Sequence, residues 1–242
     1  MKTVCGKFLY HSPNGTIEGF RCSNGGKKNK PIIFCRGGNR DFGAIDSFAL
    51  ETLFVPLAEA GFAVYATQYS GGPNSEGKDQ YGGRDVADVL ALLDVLRADG
   101  VYEDGDFLGI LGFSRGAVNA CRAMQQGLPV SKAAFVGGLF DMRDTARERP
   151  DLYSMLERDQ LFELDEKNLT DRSALTFAER FSGIQFLLLH SEDDDRVSVR
   201  QSKEMAMVLG SNATIKIFPG NDHGLLKIQN ERNALLIDWF SR

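Results

Sequence analysis

Residues 107–125 read FLGILGFSRGAVNACRAMQ. Phe107 to Phe113 is an apolar run with the look of a buried strand, and Ala117 to Gln125 has helical character. Between them stands Gly112-Phe113-Ser114-Arg115-Gly116, a GxSxG pattern in strand–turn–helix context. A chain with 26 glycines gives about 0.17 chance matches to the bare pattern, so the context carries the reading. A serine in so sharp a turn needs small neighbours, and the turn lifts its hydroxyl above the sheet. The following helix N-terminus favours negative charge there. Ser114 is the candidate nucleophile. The plainer alternative is a serine capping an ordinary helix.

Outward from this stretch, strand and helix patterns alternate. Lys7 to Tyr10 and Thr16 to Arg21 flank Ser12-Pro13-Asn14-Gly15, a strong hairpin signal. Short apolar runs follow at Pro31 to Cys35 and Phe62 to Tyr65, with a helical spacing over Ala49 to Ala60. Asp85 to Arg97 puts Val86, Val89, Leu90, Leu93 and Leu96 on one helical face. Beyond the serine, strands are expected at Ala133 to Val136, Ile184 to His190 and Thr214 to Phe218. Helices are expected at Ser202 to Leu209 and Asn230 to Phe240. The pattern predicts an α/β fold: a mostly parallel central sheet with helices on both faces, led by a β-hairpin. Residues 1–242 are expected to form a single domain. Asp141 to Phe181 interrupts the rhythm as a long polar insertion with helical pieces, and is expected to act as a lid.

Composition narrows the function classes. Of 242 residues, 43% are apolar, too many for a disordered chain. Lys and Arg number 28 against 33 Asp and Glu, and the net charge of −5 argues against nucleic acid as a partner. No apolar run reaches the roughly 18 residues of a membrane span, and the opening residues do not read as a secretory signal. The four cysteines, Cys5, Cys22, Cys35 and Cys121, show no metal-like spacing. They predict a reduced, cytoplasmic setting, with Cys35 and Cys121 as small core residues. No metal or other cofactor is expected.

A serine nucleophile needs a base, and three histidines are available. His11 lies beside the first hairpin, and His190 closes a strand as a structural residue. His223 sits in a loop after the final strand, where the order Ser, acid, His places the base. The acid is expected after the penultimate strand, in Glu192-Asp193-Asp194-Asp195, with Asp141 as a distant alternative. Gly72-Pro73-Asn74-Ser75-Glu76-Gly77-Lys78 imitates a phosphate-binding loop. Asp79 stands where such a loop needs a Ser or Thr, so nucleotide binding is set aside.

With these residues in place, the chain resembles the catalytic domain of prolyl oligopeptidase family serine peptidases, within the α/β-hydrolase fold. Three segments carry the resemblance besides GxSxG: Ser75 to Val86 before the second major helix, Arg172-Ser173-Ala174 for the family's R-S-P, and His190 to Ser198 for its H-G-x-x-D-x-x-V-P. Ser191 and Ser198 replace the glycine and proline of the last motif, and Ala174 replaces the proline of R-S-P. The resemblance implies a triad of Ser114, Asp194 and His223, and cleavage of an ester or amide through an acyl-enzyme. It implies oxyanion donors at Gly38 and Arg115. Arg36, where relatives carry His or Tyr before Gly-Gly, is expected to contact substrate or oxyanion, or to pair with a carboxylate. No β-propeller is expected ahead of the catalytic segment, and hence no size filter. The substrate is expected to be a short peptide or a small ester, with a carboxylesterase or a catalytically silent binding protein as the alternatives.

Overall fold

Val4–Ser12 (β1) and Gly15–Ser23 (β2) form the hairpin that the Asn-Gly pair signals, with Ser12 opposite Gly15. The computed structural model describes residues 2–26 and 29–242. Six further strands follow: Lys30–Cys35 (β3), Phe62–Thr67 (β4), Gly109–Phe113 (β5), Lys132–Val136 (β6), Gln185–Ser191 (β7) and Ala213–Phe218 (β8). They make one sheet in the order β1-β2-β4-β3-β5-β6-β7-β8. β1 and β2 run antiparallel to each other, β2 is antiparallel to β4, and all other pairs are parallel.

The two-residue period of the strands sorts their side chains into two cores. Ile33, Cys35, Ile110, Phe135, Phe186 and Leu188 face one side, where helices Val86–Ala98, Gly116–Gln125 and Val199–Leu209 cover them. Ile32, Phe34, Leu111, Val136, Leu187 and Leu189 face the other, under the helical segments of 47–59 and helix Gln229–Ser241. Strands buried on both faces read as continuous apolar runs, as β5 does.

Segment 47–59 passes from α to π geometry at Leu50–Phe54 before resuming α at Val55–Glu59. Pro56 has no N–H to return to the preceding turn. The carbonyl of Thr52 instead accepts from Arg232 and Asn233 of the last helix, tying the two helices together.

The insertion between β6 and β7 contains helices Thr145–Glu148, Pro150–Asp159 and Glu166–Asp171. Further 3₁₀ turns follow at Ala174–Thr176 and Ala178–Phe181, and Glu166–Asp171 is a helix the apolar pattern did not signal. A third cluster of Tyr81, Val118, Leu139, Met142, Leu156, Leu161 and Val197 fastens the insertion to the body.

The cysteine expectation fails at one pair. The register that sets Ser12 against Gly15 also sets Cys5 against Cys22, and these two form a disulfide. A bonded pair departs from the reduced state expected of all four cysteines, since disulfides are rare in a reducing cytoplasm. Cys35 and Cys121 are free and buried, and burial pushes the Cys35 thiol up to about 12. No helix among the described residues is long and apolar enough to cross a membrane.

Candidate active site

The loops that follow β3, β5, β6, β7 and β8 all leave the carboxyl ends of parallel strands, where open α/β sheets hold their ligands. Each candidate residue arrives on one of them. Ser114 follows β5 directly, with φ of +53°, a left-handed conformation that side chains other than glycine rarely adopt. Such a residue costs about 1–3 kcal/mol and persists only where its surroundings enforce it. Here its N–H donates to Val136 O and its carbonyl accepts from Leu139 N, so the end of β6 clamps the turn from both sides. Gly116 makes the turn possible: a Cβ there would lie 2.0 Å from the Cys35 carbonyl oxygen.

His223 and Asp194 come together as the sequence order requires. Asp194 Oδ2 accepts from His223 Nδ1 at 2.7 Å, and Asp194 Oδ1 accepts the N–H groups of Arg196 and Val197. The Asp194 side chain is fully buried while His223 keeps 20% exposure, so the imidazole alone faces the open side. Burial alone would raise the Asp194 carboxyl. Hydrogen bonds from His190 and His223, the charge of His223 and the Val197 N–H outweigh it and hold the carboxyl well below the usual range. A carboxyl so depressed contributes stability above its unfolded pKa of about 3.9, and that contribution is lost as pH falls through the folded value.

The loops carrying the acid and the histidine are bound to each other. Glu192 N donates to Phe218 O and Asp193 N to Gly220 O. Ser191, in place of the family's glycine, donates to Gly220 O and accepts from Asp222 N. Asp141, the alternative acid, is held by Arg143 and Ser173 instead. His11 lies on the edge strand β1.

His223 packs over Gly137, just past β6, and Ser114 is bonded to Val136 and Leu139 on either side of it. Ser114 Oγ itself makes no hydrogen bond among the described residues, to His223 or to any other group. The backbone N–H groups of Gly38 and Arg115 are likewise without a protein acceptor among the described residues. Gly38 has φ of +67°, and a Cβ there would lie 2.0 Å from Phe42 O, so no other residue fits the loop. Gly38 and Ser114 line one cavity of about 180 Å³ with Phe42, Tyr81, Leu139 and Leu152. Arg149, Leu152 and Met155, all from the insertion, form one wall of it.

Arg36 requires a correction. It was expected at the substrate or against a carboxylate, and its guanidinium does neither. Its nitrogens donate to the carbonyls of Gln68, Gly37, Phe42 and Arg40, which leaves no donor for an oxyanion. Burial, then the neighbouring Arg115, pushes its pKa down to about 10. The side chain staples the Gly37-Gly38 loop to the end of β4.

The Arg115 side chain was not read from the sequence at all. Fully buried, it donates to Asp79 at 2.7 Å, to Asp85 at 2.6 Å and to Gly38 O, between the rings of Tyr69 and Tyr81. Burial would lower its pKa, but the two carboxylates raise it, and Arg115 in turn keeps Asp79 below the usual range against burial. Asp79, the residue that spoils the phosphate-loop pattern, is thus an inward-facing partner of the serine turn. Replacing Arg115 with Met is expected to strand two buried carboxylates and cost about 3–5 kcal/mol. Urea unfolding measures this, and an unchanged midpoint would refute the structural weight given to Arg115.

Comparison with known proteins bears on the same residues. Residues 47–242 match the prolyl oligopeptidase family model. A Bacillus subtilis (strain 168) protein described as "Uncharacterized peptidase YtmA" is 28% identical over 174 residues, covering 71% of this chain and 65% of that protein. Among solved structures, Pyrococcus horikoshii acylaminoacyl peptidase superposes with a TM-score of 0.83 at 20% identity. It covers 100% of this chain, which spans 42% of that one. A Pyrococcus furiosus esterase superposes with a TM-score of 0.76 at 16% identity, covering 99% of this chain and 91% of its own. At these identities the two superpositions establish the α/β-hydrolase fold. The family model spans the serine turn, the acid loop and the histidine loop alike, and the chain belongs to the prolyl oligopeptidase family.

Proposed function

We propose that this chain is a serine hydrolase that cleaves an ester or amide bond through an acyl-enzyme, with residues 1–242 acting as one hydrolase domain. Ser114 is the nucleophile, His223 the base and Asp194 the acid. The observation that carries the reading is the buried Asp194 bonded to Nδ1 of the partly exposed His223, beside a serine strained into a left-handed turn. With Nδ1–H committed to Asp194, neutral His223 presents Nε2 as a free acceptor. The Ser114 hydroxyl, unbonded in the free protein, pairs with Nε2 as substrate enters, since catalytic hydrogen bonds often tighten only in the complex. His223 then takes the serine proton as Oγ attacks the carbonyl, and Asp194 stabilises the imidazolium. The N–H groups of Gly38 and Arg115 receive the oxyanion. His223 gives the proton to the leaving group, and afterwards activates the water that releases the acyl group.

The insertion acts as the lid of this site, because Arg149, Leu152 and Met155 line the serine's cavity. A cavity of about 180 Å³, lined by Phe42, Leu139, Leu152 and Met155 together with the charged Arg149, Asp151 and Arg196, suits a short acyl group. That size favours a second reading, a carboxylesterase of small esters, over an enzyme for long peptides. One experiment separates the readings. Wild-type protein is treated with a fluorophosphonate probe and the labelled residue identified by mass spectrometry. It is then assayed on p-nitrophenyl esters of increasing chain length and on aminoacyl-anilides. Labelling at Ser114 with turnover of either series is expected. Faster turnover of short esters favours the esterase, and absence of labelling leaves only a silent binding protein.

A further inference from the structure

We propose that His190 and Ser202 are positioning residues for the catalytic acid, forming a second imidazole support on the far side of Asp194. The inference rests on the reading of Asp194 as the acid of the triad. His190 is the penultimate residue of β7, wholly buried, four residues before Asp194. Its Nε2 lies 2.8 Å from Val197 O and 3.2 Å from Asp194 Oδ2. Both of those atoms are acceptors, so Nε2 must carry the proton. Its Nδ1 is then the acceptor, and Ser202 Oγ of helix Val199–Leu209 sits 2.7 Å away to donate to it. The serine hydroxyl therefore selects the tautomer that the acid needs.

One N–H thus grips the acid loop at two points. Val197 donates its own N–H to Asp194 Oδ1 while its carbonyl accepts from His190. The loop from Asp194 to Val197 is closed on itself at Oδ1 and anchored to β7 at Oδ2. With Oδ2 approached from two directions, by His223 and by His190, the carboxylate plane cannot rotate without losing a partner. A run of side chains therefore leads from helix Val199–Leu209 through His190 and Asp194 to His223. An apolar residue would fill the same buried space but leave Val197 O and one side of Oδ2 without a donor. Second-layer hydrogen bonds of this kind fix the orientation of the group that does the chemistry, and their loss typically costs 10–100-fold at comparable sites.

Three variants test the inference: His190→Gln, His190→Leu and Ser202→Ala. Glutamine can place an amide N–H near the position of Nε2, whereas leucine has no donor. His190→Leu is expected to lower kcat about 100-fold with KM changed less than about threefold, because the acid acts in the transition state rather than in binding. His190→Gln is expected to recover at least about tenfold of that loss. Ser202→Ala, which leaves the buried His190 Nδ1 without its donor, is expected to lower kcat several-fold in a protein that stays folded, at a stability cost of no more than a lost buried hydrogen bond. If leucine and glutamine at 190 are equally impaired, or if His190→Leu retains wild-type kcat, His190 only fills space and the inference is overturned. Should His190→Leu fail to fold, Ser202→Ala decides: wild-type kcat overturns the proposal. Fluorophosphonate labelling of the wild-type enzyme keeps the two ideas apart. A wild type that does not label removes the triad itself, while normal labelling with indifferent variants removes only this role for His190 and Ser202.

Discussion

Ser114→Ala is expected to abolish fluorophosphonate labelling and to lower kcat by about 10⁶, the scale of nucleophile loss in well-studied triad enzymes. The fold should survive. Alanine keeps the Cβ, so the strained φ of +53° is neither relieved nor made worse. The clamps on the turn are backbone bonds, Ser114 N to Val136 O and Leu139 N to Ser114 O, and substitution leaves both in place. The hydroxyl makes no hydrogen bond among the described residues, so its removal strands no partner. A melting temperature near that of the wild type should therefore accompany the loss of activity. Activity should not fall to the rate in water, because the Gly38 and Arg115 N–H groups still stabilise an oxyanion, typically worth 10³–10⁴ over water. Labelling that persists at another serine, or turnover within about tenfold of wild type, would overturn the assignment of the nucleophile.

How much of this was legible in the sequence depends on the range of the interaction. The serine turn was readable because strand, turn and helix are consecutive residues. The sheet was readable because apolar runs buried on both faces need no knowledge of their neighbours. His223 and the acid loop followed from chain order. Arg36 was misread because its partners are four backbone carbonyls, those of Gly37, Arg40, Phe42 and Gln68, and carbonyls leave no mark in a sequence. The Arg115 cluster was missed for a related reason. Its carboxylates precede it by 36 and 30 residues, inside a stretch whose glycines drew attention to phosphate. A signal was available there: Asp79 and Asp85 lie in the segment that resembles the family. Cys5 and Cys22 became readable only once the hairpin register was fixed, since a shift of one residue would have separated them.

The sharpest division concerns three consecutive aspartates. Asp194→Asn is expected to lower kcat by about 10⁴, the scale of the same substitution in the serine-protease precedent. Four donors meet the two oxygens of Asp194: the Arg196 and Val197 N–H groups at Oδ1, and His223 Nδ1 and His190 Nε2 at Oδ2. An asparagine has one oxygen for these four. With its NH₂ at the Oδ2 position it meets the His190 N–H and turns His223 Nδ1 into an acceptor. The base nitrogen Nε2 is then protonated and cannot take the serine's proton. With NH₂ at the Oδ1 position it opposes two backbone N–H groups, and the loop that aims the side chain must open. Neither orientation satisfies the site, so a lower melting temperature should accompany the lost activity, in contrast to Ser114→Ala. Asp193 and Asp195 are exposed, and exposed charges contribute little. Asp193→Asn and Asp195→Asn should therefore stay within about tenfold of wild-type kcat with unchanged melting. Should either of these prove the crippled variant while Asp194→Asn turns over normally, the acid is misassigned, and the Asp194–His223 bond is a structural contact.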